Sequence, residues 1–407
     1  MSLGGLETRL FGPGDDIEAE LDLRRRSFGP ISAGARPRWL ALLAACVEAR
    51  QMIGVFDGGR LVASARYHTM QQWWQGRSMP MAGVAGVKVA PEERGRGVGR
   101  AMMAKLLDEI AARGYPVSAL YPTTAQVYRS AGWEFAGAKY EVVVPAGSLA
   151  ALVAADAATA PAKLRRAGPA DAEAIVDVIG RVSGQLRHCG PITREPAAMH
   201  PWLDDKDLFT YLAEDGFLSY EWVDGTNDIS VSSLVAGSAA TARAFWQILA
   251  SHRSVAENIR ACLGPDDPVR WLINEPATAP HEDQSWMLRL VDAPAAIAAR
   301  GYPPAVELSV LLDIADPALP GNAGRWTLQV SAGAGTLARA DDVHEGNGFG
   351  RGARPSLRLG PRGLAAMFAG VPLATLRLAG LADGGDPAAD ASLDAAFGGR
   401  AYMIDYF

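Results

Sequence analysis

Val87-Lys88-Val89-Ala90-Pro91-Glu92-Glu93-Arg94-Gly95-Arg96-Gly97-Val98-Gly99-Arg100 joins an apolar, extended run to an amphipathic helix through a basic, glycine-rich turn. The first backbone N–H groups of a helix have no partner inside it, and the helix dipole favours an anion at that end. Gly95, Gly97 and Gly99 carry no Cβ, so a pyrophosphate can approach the backbone closely, and Arg94 and Arg96 add charge-assisted donors. Two other phosphate loops are excluded by spacing. GxxxxGK[ST] is absent, and a dinucleotide fingerprint places GxGxxG early in a βαβ unit, whereas R-x-x-G-x-G here follows a long strand in an antiparallel run. The bland alternative is a tight strand–helix joint with solvated arginines. Two arginines among three glycines have no evident packing purpose, which favours the phosphate reading.

The sequence around the loop reads as a mixed α/β unit. Strands are expected over 8–11, 52–56, 61–69, 79–89, 117–121 and 134–144, with a hairpin at Asp57-Gly58-Gly59. Helices are expected over 15–27, 39–50, 97–112 and 125–131, the third with Met102, Met103, Leu106, Leu107 and Ile110 at helical spacing. An Ala-rich stretch, 148–163, reads as a linker. Beyond it R-x-x-G-P-x-D recurs, at Arg165–Asp171 as at Arg9–Asp15, and each copy leads into a helix. A second hairpin (217–223 and 229–235) and a helix (240–251) follow, but the joint Ala236-Gly237-Ser238-Ala239-Ala240-Thr241 lacks basic residues. The second copy therefore reads as a duplicate without a cofactor loop. From residue 303 a third unit begins, with strands over 306–314, 325–330 and 356–359 and helices over 363–369 and 391–397.

Composition narrows the classes. A chain of 407 residues holds about two to four domains. With 49% hydrophobic and 21% charged residues it has a globular balance, and a net charge of −6 gives no support to nucleic-acid binding. Cys46, Cys189 and Cys262 are scattered, and the six histidines show no HxH or HxxxH spacing, so neither a disulfide framework nor a metal site is indicated. No signal peptide and no run of about 18 apolar residues is present, and the expected setting is cytoplasmic.

The loop at 87–100, the run Val127-Tyr128-Arg129-Ser130-Ala131-Gly132-Trp133 and the order of elements resemble the GNAT superfamily of N-acetyltransferases. Over its whole length the chain is similar to the Eis (enhanced intracellular survival) acetyltransferases of actinobacteria. That resemblance implies an α/β (α+β) chain of tandem GNAT-like domains, the second degenerate, followed by a sterol-carrier-protein-like domain. The corresponding boundaries are 1–147, 160–300 and 301–407. It also implies acetyl-CoA as cosubstrate, no metal, and a hexamer acting on a small, polycationic, aminoglycoside-like amine. The cofactor residues it implies are Val87, Lys88, Val89, Arg94, Gly95, Arg96, Gly97, Val98, Gly99, Arg100 and Thr123. Tyr128 would be the general acid and the α-carboxylate of Phe407 the general base. On the residues alone, Tyr128 reads equally as a half-buried aromatic with a satisfied hydroxyl. The apolar ending Tyr402-Met403-Ile404-Asp405-Tyr406-Phe407 is unlike a frayed terminus.

The assignment raises a difficulty of acidity. A phenol near 10 gives its proton to a thiolate of pKa near 8.5 only uphill, by roughly 2 kcal/mol, so Tyr128 needs a lowered pKa or a transfer concerted with C–S cleavage. One departure stands out. The resemblance implies a pocket of acids and aromatics in this region, which Asp22 and Phe28 fit, but Arg24-Arg25-Arg26 beside them does not suit a polycation. A protein-lysine acetyltransferase and a non-enzymatic lipid carrier are the alternative readings.

Overall fold

The computed structural model describes residues 5–150, 152, 162–273, 281–340 and 355–407. In chain order the first strands are β1 (Leu6–Leu10), β2 (Met52–Asp57), β3 (Arg60–Trp74), β4 (Arg77–Val89), β5 (Val117–Leu120) and β6 (Glu134–Pro145). Helices α1 (Ile17–Phe28) and α2 (Arg36–Glu48) lie between β1 and β2, α3 (Val98–Ala112) between β4 and β5, and α4 (Ala125–Ser130) before β6. The central part adds β7 (Arg165–Arg166), β8 (Cys189–Thr193), β9 (Phe209–Ala213), β10 (Gly216–Trp222), β11 (Ile229–Ala236), β12 (Asn258–Leu263) and β13 (His281–Leu290).

These strands make one continuous sheet, ordered β1-β2-β3-β4-β5-β13-β6-β12-β11-β10-β9-β7, with β8 paired to β3. The two copies exchange strands. β13, late in the chain, slips between β5 and β6, while β6 pairs on its other edge with β12. Units that are consecutive in sequence are thus bonded through a shared sheet.

The sequence repeat has an identical physical basis in both copies. Arg9 donates to both carboxylate oxygens of Asp15 (2.5 and 2.7 Å), and the Gly12 N–H donates to Asp15 (2.7 Å). Arg165 donates to Asp171 (2.5 Å), and the Gly168 N–H donates to Asp171 (3.0 Å). In each copy the arginine, as hydrogen-bond donor, holds the aspartate pKa below its ordinary value. The expected linker is not wholly free: Leu149 and Leu152 are buried in the core of the second copy.

The third unit is a separate five-stranded sheet with helices Pro361–Phe368, Leu373–Leu378 and Asp390–Phe397 packed on it. It is joined to the rest by buried polar contacts. Arg289 of β13 donates twice to Asp316 (2.7 and 2.8 Å), and the fully buried Arg300 donates to the carbonyls of Phe368 (2.9 Å) and Phe397 (2.8 Å). The chain then leaves this unit and runs back between the two copies. Tyr402 N–H donates to Cys189 O (3.0 Å) and Met403 N–H to Ala138 O (3.1 Å), which fixes the tail between β8 and β6. A Cβ at Gly137 would collide with Ala401 O, and one at Gly190 with Tyr402 O, so glycine is required on both sides of the tail.

Candidate active site

β4 and β5 run parallel from Met81 opposite Val117 to Val84 opposite Leu120. β5 stops there, while β4 continues to Val89, so a wedge opens between them with the last residues of β4 along one side. Within that stretch the register against β3 shifts: Ser64 faces Lys88, Arg66 faces Ala85, and Gly86 and Val87 bulge opposite Ala65. Gly86 sits at φ +60°, a conformation open to glycine, and a Cβ there would collide with the Arg66 guanidinium.

At the far end of β4 the loop opens onto α3. Gly97 lies at the helix N-terminus with φ +83° and no side chain caps that end. Nothing lies within 4 Å of where a Cβ on Gly95 or Gly97 would stand, so these glycines leave room for an approaching anion. The α3 core face is the one read from the sequence: Met102, Met103, Leu106, Leu107 and Ile110 are all buried. The two loop arginines differ. Arg96 is ion-paired to Glu93, which also accepts from Arg60 (2.8 Å), so Arg96 has the packing purpose that its sequence context concealed. Arg94 is exposed and makes a long contact, 3.4 Å, to Val89 O. Arg100 is exposed on the first turn of α3, and Val98 is buried beneath it. Val87 and Val89 pack toward the α3 core, and Val89 touches Gly99. The Lys88 side chain points the other way, into an ion pair with Glu20 that is buried on both sides. An uncapped helix N-terminus lined by glycines fits a pyrophosphate, and the β4 edge fits an extended ligand lying in the wedge.

Tyr128, on the short helix α4, is 5% exposed and hydrogen-bonded to Thr123. Burial, with a contribution from Tyr406, pushes its phenol up to about 12 against the opposing bond from Thr123. This runs against the lowered value that a simple acid would need. From about 12 the transfer to an ordinary thiolate is uphill by about 5 kcal/mol, so only a transfer concerted with bond cleavage suits this phenol.

The chain end reaches the mouth of the wedge. The Phe407 ring lies 2.8 Å from the position of a Cβ on Gly83, and its centroid is 5.6 Å from that of Tyr121, just past β5. Tyr121 donates to Asp405 O (2.8 Å) and packs on Tyr406 at 4.8 Å, while Arg194 donates to Tyr406 O (2.9 Å). Tyr128 and Phe407, 279 positions apart, are linked through Tyr406, which packs on Tyr121 beside the chain end and acts on the Tyr128 phenol. Tyr121, Gly83 and Arg194 hold the tail here and were not singled out from the sequence. They carry no motif, and only the route of the tail selects them.

A further group was legible only in part. Ser64, Arg66, His68 and Met70 alternate along one face of β3, opposite Lys88, Ala85, Gly83 and Met81 of β4. Glu20 of α1 and Trp39 of α2 close over this face, and Phe407 lies on it beside Met70. Trp39 stands between two guanidinium groups, Arg24 at 4.7 Å and Arg66 at 5.2 Å from its ring. Burial, with Arg66 and Arg194 near, pushes the His68 imidazole down to about 4, so it is neutral at physiological pH. Asp22, by contrast, faces outward and is paired with Arg25 and Arg26.

Three family models match: an acetyltransferase (GNAT) domain over 13–136, a second acetyltransferase (GNAT) domain over 190–290, and a sterol carrier protein domain over 293–404. The fold and the glycine-lined wedge are those of a GNAT acetyltransferase, a class that uses acetyl-CoA. The N-acetyltransferases Eis of Mycobacterium tuberculosis and Mycobacterium bovis are each 30% identical to it over 343 residues, 78% of this chain and 80% of theirs. The chain belongs to the Eis family of N-acetyltransferases. A GCN5-related N-acetyltransferase from Kribbella flavida is 44% identical, with a TM-score of 0.91 over 99% of this chain and 98% of that one. One from Anabaena variabilis, 24% identical, shares the fold with a TM-score of 0.82 over 99% and 100%. Because the family is one of enzymes, the carrier reading of the whole chain is set aside. Among the described residues no helix is long and apolar enough to cross a membrane, and no group of histidine, cysteine or acidic residues is arranged to hold a metal.

Proposed function

We propose that the chain acetylates a primary amine of a small molecule by direct attack on the thioester, with Tyr128 as general acid and the Phe407 α-carboxylate as general base. Acetyl-CoA, when bound, supplies the activated acyl group. The N-terminus of α3 and the glycines at 95 and 97 hold its pyrophosphate, with Arg94 as the free guanidinium. Amides of the unpaired β4 edge near Val87 and Val89 receive the carbonyl oxygen as negative charge builds on it. The Phe407 carboxylate takes one proton from the ammonium, the new N–C bond forms as the C–S bond breaks, Tyr128 gives its proton to the departing sulfur, and the second proton shed by the acylated nitrogen restores the Tyr128 phenol.

The observation that carries this reading is the threading of the tail to the wedge, with Phe407 against Gly83 and Tyr121. The test is to compare kcat for the native end, a C-terminal tag and a deletion of Phe407, with CoA binding measured in each. An appended residue turns the carboxylate into an uncharged amide. The deletion withdraws it by about 3.3–3.6 Å. Both variants are expected to lose more than about 10²-fold in kcat while binding CoA normally, since about 1 Å of misplacement can cost that much. Full turnover by the tagged enzyme would exclude the carboxylate as base.

A further inference from the structure

We propose that the acceptor amine of this enzyme carries a carboxylate close to its nitrogen, and that the Arg66 guanidinium receives that carboxylate. The inference rests on the reading that Phe407 marks the acceptor side of the wedge. Arg66 is only 7% exposed. Its Nε meets His68 Nε2 (3.3 Å) and its face meets Trp39, but among the described residues no carboxylate is ion-paired to it. The acid of the neighbourhood, Glu20, is ion-paired to Lys88 and acts on Arg66 through its charge alone. Arg66, Arg24 and Lys88 stand against Glu20 and the chain-end carboxylate, so the face keeps a net positive charge where a buried charge calls for a counter-ion.

The position is suited to a substrate. Arg66 lies over Gly86, at the bulge beside Val87, and its strand position is two pairs along from His68 and Gly83, where the Phe407 ring sits. Two residues of strand span about 7 Å. An amine held at the chain end thus places a carboxylate one to three carbons away within reach of the guanidinium, as in an amino acid. A polycation would instead meet Arg66, Arg24 and Lys88 with like charge.

The test uses the full-length enzyme and acceptor pairs that differ only in the carboxylate: amino acids against their primary amides and against the corresponding decarboxylated amines. The acids are expected to have kcat/KM about 10- to 100-fold higher, the range of a charge-assisted pair. Arg66→Gln is expected to erase that preference by raising KM for the acids, with kcat for the amides nearly unchanged. Arg66→Lys should keep part of the preference, since a point charge replaces a fork. Calorimetric binding of the preferred acid to the CoA-loaded enzyme should weaken by the same factor in Arg66→Gln, while CoA affinity stays constant. Faster turnover of the amides or of polyamines than of the acids would overturn the inference and leave the acetyltransferase reading intact. An equal fall in kcat for every acceptor in Arg66→Gln would also overturn it, by assigning Arg66 to the Phe407 carboxylate instead. Absence of turnover on any amine, with CoA bound, would overturn both readings.

Discussion

Helix α3 and helix Ala239–Ser251 occupy corresponding places in the two copies, each following the second arm of a hairpin. Each begins where a parallel strand pair has opened. β4 parts from β5 after Val84, and β11 parts from β12 after Val231. The ends of the two helices differ. α3 starts from Gly97 with no side-chain cap and open space at Gly95 and Gly97. The other helix is capped by Ser238, which accepts from Thr241 N–H (3.3 Å), and the Thr241 hydroxyl is bonded to Asp215. Gly237 is hemmed in, with Asp215 O and Val182 each 3.1 Å from the position of a Cβ. The same dipole is therefore left open in one copy, as the proposed cofactor site requires, and is satisfied internally, beside an acid, in the other. The second wedge still encloses a cavity of about 850 Å³, but the passing tail forms part of its wall, at Tyr402, Ile404 and Tyr406. The two copies share the scaffold and differ in the loop on which the proposed phosphate site rests.

The contrast can be broken most sharply at Gly97. Gly97→Glu should weaken CoA binding by more than about 10²-fold, because a carboxylate then stands where the anion belongs. Since φ is +83°, any side chain there also costs about 1–2 kcal/mol in strain. Gly97→Ala isolates that part and should retain measurable binding by calorimetry. Equal losses in the two variants would mean that strain, and not charge, governs the loop.

Tyr128→Phe tests the acid proposed for the first copy. A fall of about 10²-fold in kcat is expected, with KM for acetyl-CoA nearly constant, and turnover within about threefold of wild type would reduce Tyr128 to a packing residue. With the phenol held near 12, the wild-type kcat profile should show no alkaline fall from this group below about pH 11.

A smaller effect is expected at Gly190, which separates the two copies from the tail. Its φ is +100° and a Cβ would strike Tyr402 O, so Gly190→Ala should push the tail aside. About a tenfold loss of kcat with unchanged CoA affinity is the expected outcome. Unaltered kcat would show that the chain end reaches its place without this contact.

The least effect belongs to the capped helix. Ser238→Ala should cost about 1 kcal/mol in denaturant unfolding and leave CoA affinity and kcat as they were, the reverse of Gly97→Glu. A change in CoA affinity would give the second copy a role in the cofactor site.

Local pattern was enough for much of this molecule. The amphipathic run at Met102–Ile110, the hairpin at Asp57-Gly58-Gly59, the glycine-rich joint and the repeated R-x-x-G-P-x-D are signals carried by residues a few positions apart. Their geometry follows from helix period, turn chemistry and one arginine–aspartate pair. The two loop arginines were not told apart this way, although Glu93 pairs with Arg96 three residues on; that Glu93 is buried there, with Arg60 arriving from β3, is decided by the tertiary fold. The pairing of β13 with β5 and β6 was equally hidden, since strands more than a hundred residues apart find one another through shared core burial and carry no turn to mark the match. The candidate site shows the same division. The loop could be named from its motif, and Tyr128 and Phe407 from a family resemblance. That Phe407 meets Gly83 and Tyr121, that the Tyr128 phenol is held high, and that Arg66 is buried with no carboxylate ion-paired to it among the described residues are consequences of packing, because burial, dielectric and the route of a chain between two sheets exist only once the whole is folded.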